Sequence, residues 1–214
     1  MHPKALTPAQ RRLLAASGDL ARKWGAYLGG GSAVALHLGH RFSEDFDWFT
    51  RDTVSPAALA KDLESLGVPV KVTQNTEGTF LAQVDSIQWS VFRYRYPLIS
   101  VPAEYEGCSV AGLRDLAAMK MTAIVQRTTK RDYVDLHAML VGARLSLGDV
   151  ITTMSRKYPG LDPAVAMRAL TYFTDVEEQA MPKMIARTTW EDVKAGLVEV
   201  SRKYERTQGQ TRGR

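Results

Sequence analysis

Residues 41–48 read RFSEDFDW. Taken as a strand, they set Arg41, Ser43, Asp45 and Asp47 on one face and Phe42, Phe46 and Trp48 on the other, with Glu44 the exception. A strand built only to pack does not line one face with polar groups unless that face is wet or functional. Two carboxylates two residues apart on one strand face have Cβ atoms roughly 6–7 Å apart. They repel each other, and a divalent cation between them relieves the repulsion. Oxygen ligands on a stiff strand suit Mg2+, which keeps positions open for phosphate oxygens. The plainer alternative is a solvated face on which Arg41 neutralises Asp45. Upstream stands Gly29-Gly30-Gly31-Ser32. Glycines let a backbone approach a ligand closely, and a helix start offers unpaired N–H groups to a phosphate. Ser32 reads as the N-cap of a short helix, Ala33 to Leu38, and adds a hydroxyl. A phosphate anchor followed one short helix later by two carboxylates is a more specific pattern than either part alone.

The elements that must hold these groups follow from periodicity. Residues 8–24 have helical spacing, with Leu13, Leu14, Ala21 and Trp24 roughly on one face. Tyr27–Leu28 leads as a strand into the glycines, and 41–50 reads as a strand. Residues 56–66 read as a helix, with Pro56 in its first turn and Gly67 at its exit. Strands follow near 69–75, 79–85 and 87–95, separated by turn residues, Asp85 among them. Helices are expected at 112–127, 130–143 and 146–157, and the chain to about 205 reads as helical, with Pro163 and Pro182 as breakers. Strands are thus confined to the first ~100 residues, an α+β or mixed arrangement followed by a helical region, with a boundary near 100–112.

Composition narrows the class. With 214 residues and 45% hydrophobic side chains, the chain is long and apolar enough for a globular core. The single cysteine, Cys108, excludes an internal disulfide and a four-thiolate zinc site. No apolar run approaches the ~18 residues of a membrane helix, and the first residues lack an apolar signal core, so a cytoplasmic protein with no membrane partner is expected. The net charge of +5 is less telling than it looks. Arg202, Lys203, Arg206, Arg212 and Arg214, set against Glu205, put +4 of it in the last thirteen residues, which read as a disordered tail.

YLGGGSAVALHLGHRFSEDFDWF resembles the first motif of the polymerase-β-like nucleotidyltransferase superfamily, Gly-Ser followed by D-x-D. More narrowly it is similar to the AbiEii/AbiGii toxin-type nucleotidyltransferases of bacteria. The matching residues include Gly30, Gly31, Ser32, His40, Arg41, Ser43, Asp45, Asp47 and Phe49. A second motif is LRDLAAMKMTAIVQRTTKRDYVDLHAML, residues 113–140, so the resemblance covers roughly residues 25–140. Read as a helix, its Leu113, Leu116, Ala117 and Ile124 form a stripe with Lys120 in the middle. A lysine centred on an apolar stripe either has a partner or snorkels along the surface. Arg131, Asp132 and Asp135 match the family's R-D-x-x-D-L. By spacing, Asp132 shares a face with Leu136, Met139 and Ala143, while Thr129-x-x-Asp132 also resembles a capping box.

The resemblance implies a mixed sheet with flanking helices as a nucleotidyltransferase core over 1–111. It further implies a helical region, 112–205, that contributes to the active site, ahead of a disordered basic tail, 206–214. It implies transfer of NMP from an NTP with Mg2+ or Mn2+ held by Asp45 and Asp47. Gly30, Gly31, Ser32, Arg41, Ser43, Lys120, Arg131 and Asp135 would serve the nucleotide, and Lys120 and Asp132 would join the two aspartates in catalysis. The implied acceptor is an RNA end, tRNA foremost, or a protein hydroxyl, and the implied setting is a toxin paired with an antitoxin. Such enzymes commonly place a third carboxylate on a later strand. Here IQWSVFRYRYPL carries Ser90 at that place, and members of the toxin-like group often have a non-acidic residue there. Two rivals stand beside this reading: a small-molecule nucleotidyltransferase of the antibiotic-modifying kind, and a degenerate module that binds NTP or RNA without turnover. His37 and His40 are assigned a packing or orienting role. Phe92-Arg93-Tyr94-Arg95-Tyr96 reads either as a base-stacking, RNA-touching run or as an amphipathic edge strand.

Overall fold

A computed structural model describes residues 1–212, with side chains through residue 210. The chain divides into two compact units, Met1–Gly112 and Leu113–Arg214.

In the first unit, Thr7 caps α1 (Pro8–Ala16) through a reciprocal capping box with Gln10. The helix expected over 8–24 is broken at Ser17, whose hydroxyl turns back onto the Leu13 carbonyl, and α2 (Gly18–Lys23) follows as a separate piece. Then come β1 (Ala26–Leu28), α3 (Gly30–Leu38), β2 (Asp45–Thr50) and α4 (Pro56–Glu64). The strands β3 (Val70–Thr76), β4 (Thr79–Val84) and β5 (Ile87–Arg93) form a meander, and a small hairpin, β6 (Ala103–Tyr105) and β7 (Cys108–Val110), closes the unit. Among the described residues, seven strands make one sheet in the order β3-β4-β5-β2-β1-β7-β6. The β2/β5 and β1/β7 pairs are parallel and the rest antiparallel.

Asp85 and Ser86 take left-handed φ values of 46° and 62°, the pairing that makes a tight two-residue hairpin between β4 and β5. The β6–β7 hairpin corrects the expectation that strands end near residue 100. Its three-residue strands are too short to show a period, and Glu106-Gly107, both left-handed, supply the turn. β5 is likewise not an edge strand, since it lies between β4 and β2.

The sheet divides its two faces cleanly. On one, Phe46, Trp48 and Trp89 are fully buried, and the two indoles stack at 5.2 Å between centroids. On the other, Asp45, Asp47 and Phe49 are only half-buried. α3 is mostly apolar and is buried from Gly31 to Leu36. Gly39, at φ 63°, ends it in a left-handed cap.

In the second unit, α5 (Leu113–Arg127) and α6 (Lys130–His137) are joined by a short turn, and α6 passes into a π-helical turn at Ala138–Gly142 within the helix expected over 130–143. α7 (Leu147–Lys157) is capped by Ser146, which accepts from the Asp149 N–H, and α8 (Pro163–Leu170) by Asp162. α9 runs from Trp190 to Arg212. Residues 206–212, expected in a disordered tail, therefore continue a helix; extending an already nucleated helix adds one bond per residue fixed. Residues 213 and 214 of that expected tail lie outside the described residues. A wholly buried ion pair, Lys157 Nζ to Asp115 Oδ1 at 2.6 Å, ties α7 to α5. Among the described residues no helix is long and apolar enough to cross a membrane.

Candidate active site

Two clusters hold the residues singled out by the sequence, one in each unit. The first is built where β1 turns into α3. Gly29 donates its N–H to the Asp47 carbonyl at 2.9 Å, which docks the glycine turn on β2. Gly30 adopts φ 60°, a conformation that side chains with a Cβ rarely take, and a methyl group there would overlap the Asp47 carboxylate. A methyl at Gly31 would overlap the guanidinium of Arg41, a side chain only 4% exposed. The glycines therefore let an acid and a base both lie against the start of α3.

That start is Gly29, not Ser32, which corrects the expected N-cap. Gly29 has no side chain, so no side-chain acceptor caps the first turn. Ser32 sits inside the helix, buried, with its hydroxyl on the Asp45 carbonyl and on Ser43 Oγ. β2 also begins later than expected, at Asp45 rather than residue 41. The Ser43 N–H is taken by the Ala5 carbonyl at 3.0 Å, and the Ser43 carbonyl accepts from Gln10 Nε2 at 2.9 Å. The backbone of Ser43 is thus committed to the N-terminal segment, and the Arg41 guanidinium donates to the Phe42 carbonyl. From Asp45 onward the alternation holds, with Asp45, Asp47 and Phe49 in register with Gln88, Ser90 and Phe92 of β5. Ser90 thus faces Asp47 across the ladder, at the place considered for a third acid.

The geometry makes one sharp expectation. Gly30→Ala should cost about 1–2 kcal/mol for the left-handed backbone alone and should displace the Asp47 carboxylate. Thermal melting together with an activity assay checks it: a variant that melts and works like wild type would show that the close approach does not matter.

The second cluster lies on α5 and α6. Lys120 is 5% exposed, and its ammonium sits 2.7 Å from both Asp132 Oδ1 and Asp135 Oδ2. The lysine does not snorkel; it has partners. Arg127 Nε donates to Asp132 Oδ2 at 3.2 Å from an exposed position. Thr129 is the N-cap residue of α6, yet its hydroxyl donates to the Asp132 carboxylate rather than accepting a backbone N–H, so the expected capping box is absent. Burial works against the Lys120 ammonium, but the carboxylates of Asp135 and Asp132 outweigh it and raise its pKa. Burial likewise favours a neutral Asp132, but Lys120 and Arg127 hold its pKa below the usual carboxylate range. Arg131 is exposed on α6.

The remaining candidates fall into place. The ring of His37 is 2.9 Å from the Ala111 carbonyl, and burial lowers its pKa, so the imidazole stays neutral near pH 7. His40 is buried. Burial pushes the Cys108 thiol up to about 12, which makes it unreactive. Among the described residues, no group of three or more His, Cys, Asp or Glu side chains is arranged to hold a metal. Sequence reasoning does not find Arg127 as a partner of Asp132. Its spacing of five residues ahead of Asp132, across a break between helices, carries no periodic signal.

The fold is that of the nucleotidyltransferases, a mixed sheet with flanking helices followed by helices at the C-terminal end. A crystal structure of an H. pylori protein provisionally assigned as a nucleotidyltransferase aligns over 98% of this chain and 96% of its own, with a TM-score of 0.63 and 19% identity. JHP933 from Helicobacter pylori aligns over 99% of this chain and 95% of its own, with a TM-score of 0.59 and 19% identity. The chain belongs to one family with the uncharacterized protein aq_aa25 of Aquifex aeolicus, to which it is 32% identical over 171 residues, 78% of this chain and 82% of that one. No family model matches the chain.

Proposed function

We propose that this protein transfers a nucleoside monophosphate from an NTP to an acceptor hydroxyl. The carrying observation is that Asp45 and Asp47 share one half-buried face of β2, with the glycine start of α3 laid against Asp47. Mg2+ is usually held by one or two carboxylates plus substrate phosphate oxygens rather than by an all-protein cage. Two carboxylates beside a close-approaching backbone fit that donor set, for Mg2+ or Mn2+. The ion, when bound, would neutralise charge on the triphosphate.

The chain's own groups do the rest by position and electrostatics. The N–H groups at Gly30, Gly31 and Ser32 offer a phosphate the positive end of α3. Ser32 and Ser43 also fix the start of β2, and with it the direction of Asp45. Arg41 lies against Gly31, a cation beside that helix start. By the resemblance, Lys120 and Arg131 supply positive charge to the phosphates, and Asp132 and Asp135 keep the Lys120 ammonium in place. The acceptor oxygen bonds to the α-phosphorus as the bond to pyrophosphate breaks. The likeness of the first motif to toxin-type enzymes supports an RNA acceptor, tRNA foremost, or a protein hydroxyl, and a cognate antitoxin as partner.

One observation favours a second reading. Ser90 stands opposite Asp47, so the third strand position offers no carboxylate to act as base, and a module that binds nucleotide without turnover fits that gap. Incubating the protein with labelled NTPs, Mg2+, total RNA and lysate separates the readings. Label in the RNA pool is the expected result. Label in protein or small molecules changes the acceptor, and retained NTP with no labelled product favours the binding module.

A further inference from the structure

The carboxylate face of the sheet continues into a row of aromatic rings. Phe49 follows Asp47 on that face and pairs in register with Tyr27 of β1 and Phe92 of β5. Ring centroids lie 5.8 Å apart from Tyr27 to Phe49, 5.5 Å from Phe49 to Phe92, 5.2 Å from Phe49 to Tyr94 and 5.3 Å from Tyr94 to Tyr96. Phe49, Phe92, Tyr94 and Tyr96 are half-buried, in contrast to the fully buried Phe46, Trp48 and Trp89 of the opposite face. The exposed Arg95 holds its guanidinium 4.9 Å from the centre of the Tyr96 ring. The exposed Arg51 borders an open concavity of about 470 Å3 that is also lined by the buried Tyr27, by Asp52, and by Pro97 and Leu98 just after Tyr96.

We infer that this row stacks the unpaired bases of a single-stranded nucleic-acid acceptor, whose terminal hydroxyl is presented at Asp45 and Asp47; the inference rests on the nucleotidyl-transfer reading. Three features select this occupant. Four half-buried rings, Phe49, Phe92, Tyr94 and Tyr96, contact one another in series or around Phe49, more aromatic surface than the base of one NTP covers. Aromatic faces stack bases of any sequence, and the guanidinium groups of Arg95 and Arg51 beside the rings can meet phosphates. The row is continuous with the carboxylates, because Phe49 stands two residues from Asp47, roughly 6–7 Å along the strand.

Fluorescence anisotropy on the full chain, without NTP, tests it with a labelled 12-nucleotide single-stranded RNA and the same sequence as a duplex. Wild type should bind the single strand at least tenfold more tightly than the duplex. Tyr94→Leu and Tyr96→Leu should each weaken binding on the order of 5–100-fold, Tyr94→Phe should restore it, and Arg95→Gln should flatten the salt dependence. Circular dichroism melts confirm that each variant is folded. Equal binding of strand and duplex, or Tyr94→Leu binding as wild type does, overturns the inference. Strand binding through the row by a protein that transfers nothing supports the inference and overturns the transfer reading. Transfer to RNA with an unchanged KM in Tyr94→Leu does the reverse.

Discussion

Replacing Asp47 by Asn is expected to lower nucleotidyl transfer by roughly 100-fold or more, the scale on which losing a main electrostatic element acts, while the fold survives. The amide keeps the shape of the carboxylate, so the glycine turn that packs on it still fits. The backbone bond from Gly29 to the Asp47 carbonyl is untouched. On the proposed reading, what would be lost is the negative charge that would recruit a divalent cation beside the triphosphate. Asp45→Asn should behave alike, because Asp45 is held by its carbonyl on Ser32 and not by its carboxylate. Folding should hold, since the amide keeps the shape of each carboxylate. Initial rates across a Mg2+ series, with a melting curve for each variant, check this. Full transfer by Asp47→Asn would show that these carboxylates do not hold the metal.

Much of this site is legible in the amino-acid order, for a physical reason. A period-2 pattern on a central strand reports directly which side chains share a face, and Asp45, Asp47 and Phe49 do so. Ser90 is found at the third-acid position for the same reason. The helix cap lies three residues ahead of its expected place because a run of glycines permits several backbone paths, and the tertiary bond to Asp47 chooses among them. The strand starts four residues later than its alternation suggests because Ala5 and Gln10, more than thirty positions away, take the polar groups of Ser43, and no local pattern announces that. Periodicity shows that Lys120 turns inward on α5. It cannot name Asp132 and Asp135 as partners, since the turn between two helices sets their phase. The buried pair of Asp115 and Lys157, 42 residues apart, leaves no trace in the sequence pattern at all.

Lys120→Met should destabilise the protein by about 3–5 kcal/mol, the cost of breaking a buried ion pair from one side. Removing the ammonium leaves two carboxylates, 1% and 0% exposed, without the charge between them. Arg127 and Thr129 still serve Asp132, and Asp135 remains as a buried carboxylate deprived of the Lys120 charge. Adding Asp135→Asn should therefore recover a large part of the loss, a result that a simple packing defect at position 120 would not produce. The acid limb of stability gives a second check. A carboxylate whose pKa is lowered by folding contributes stability that is present above its unfolded pKa and lost as pH falls through its folded one. Wild type should hold this share until the pH drops below the usual carboxylate range, as the lowered pKa of Asp132 requires. In Lys120→Met the loss should begin at higher pH, because burial then acts on the carboxylates with less opposing charge. Urea melts at several pH values measure both effects, and NTP binding measured well below the melting temperature separates stability from any contact with phosphate. If Lys120→Met melts like wild type at neutral pH, the cluster does not hold α5 to α6, and the charge on Lys120 must be explained by what it binds.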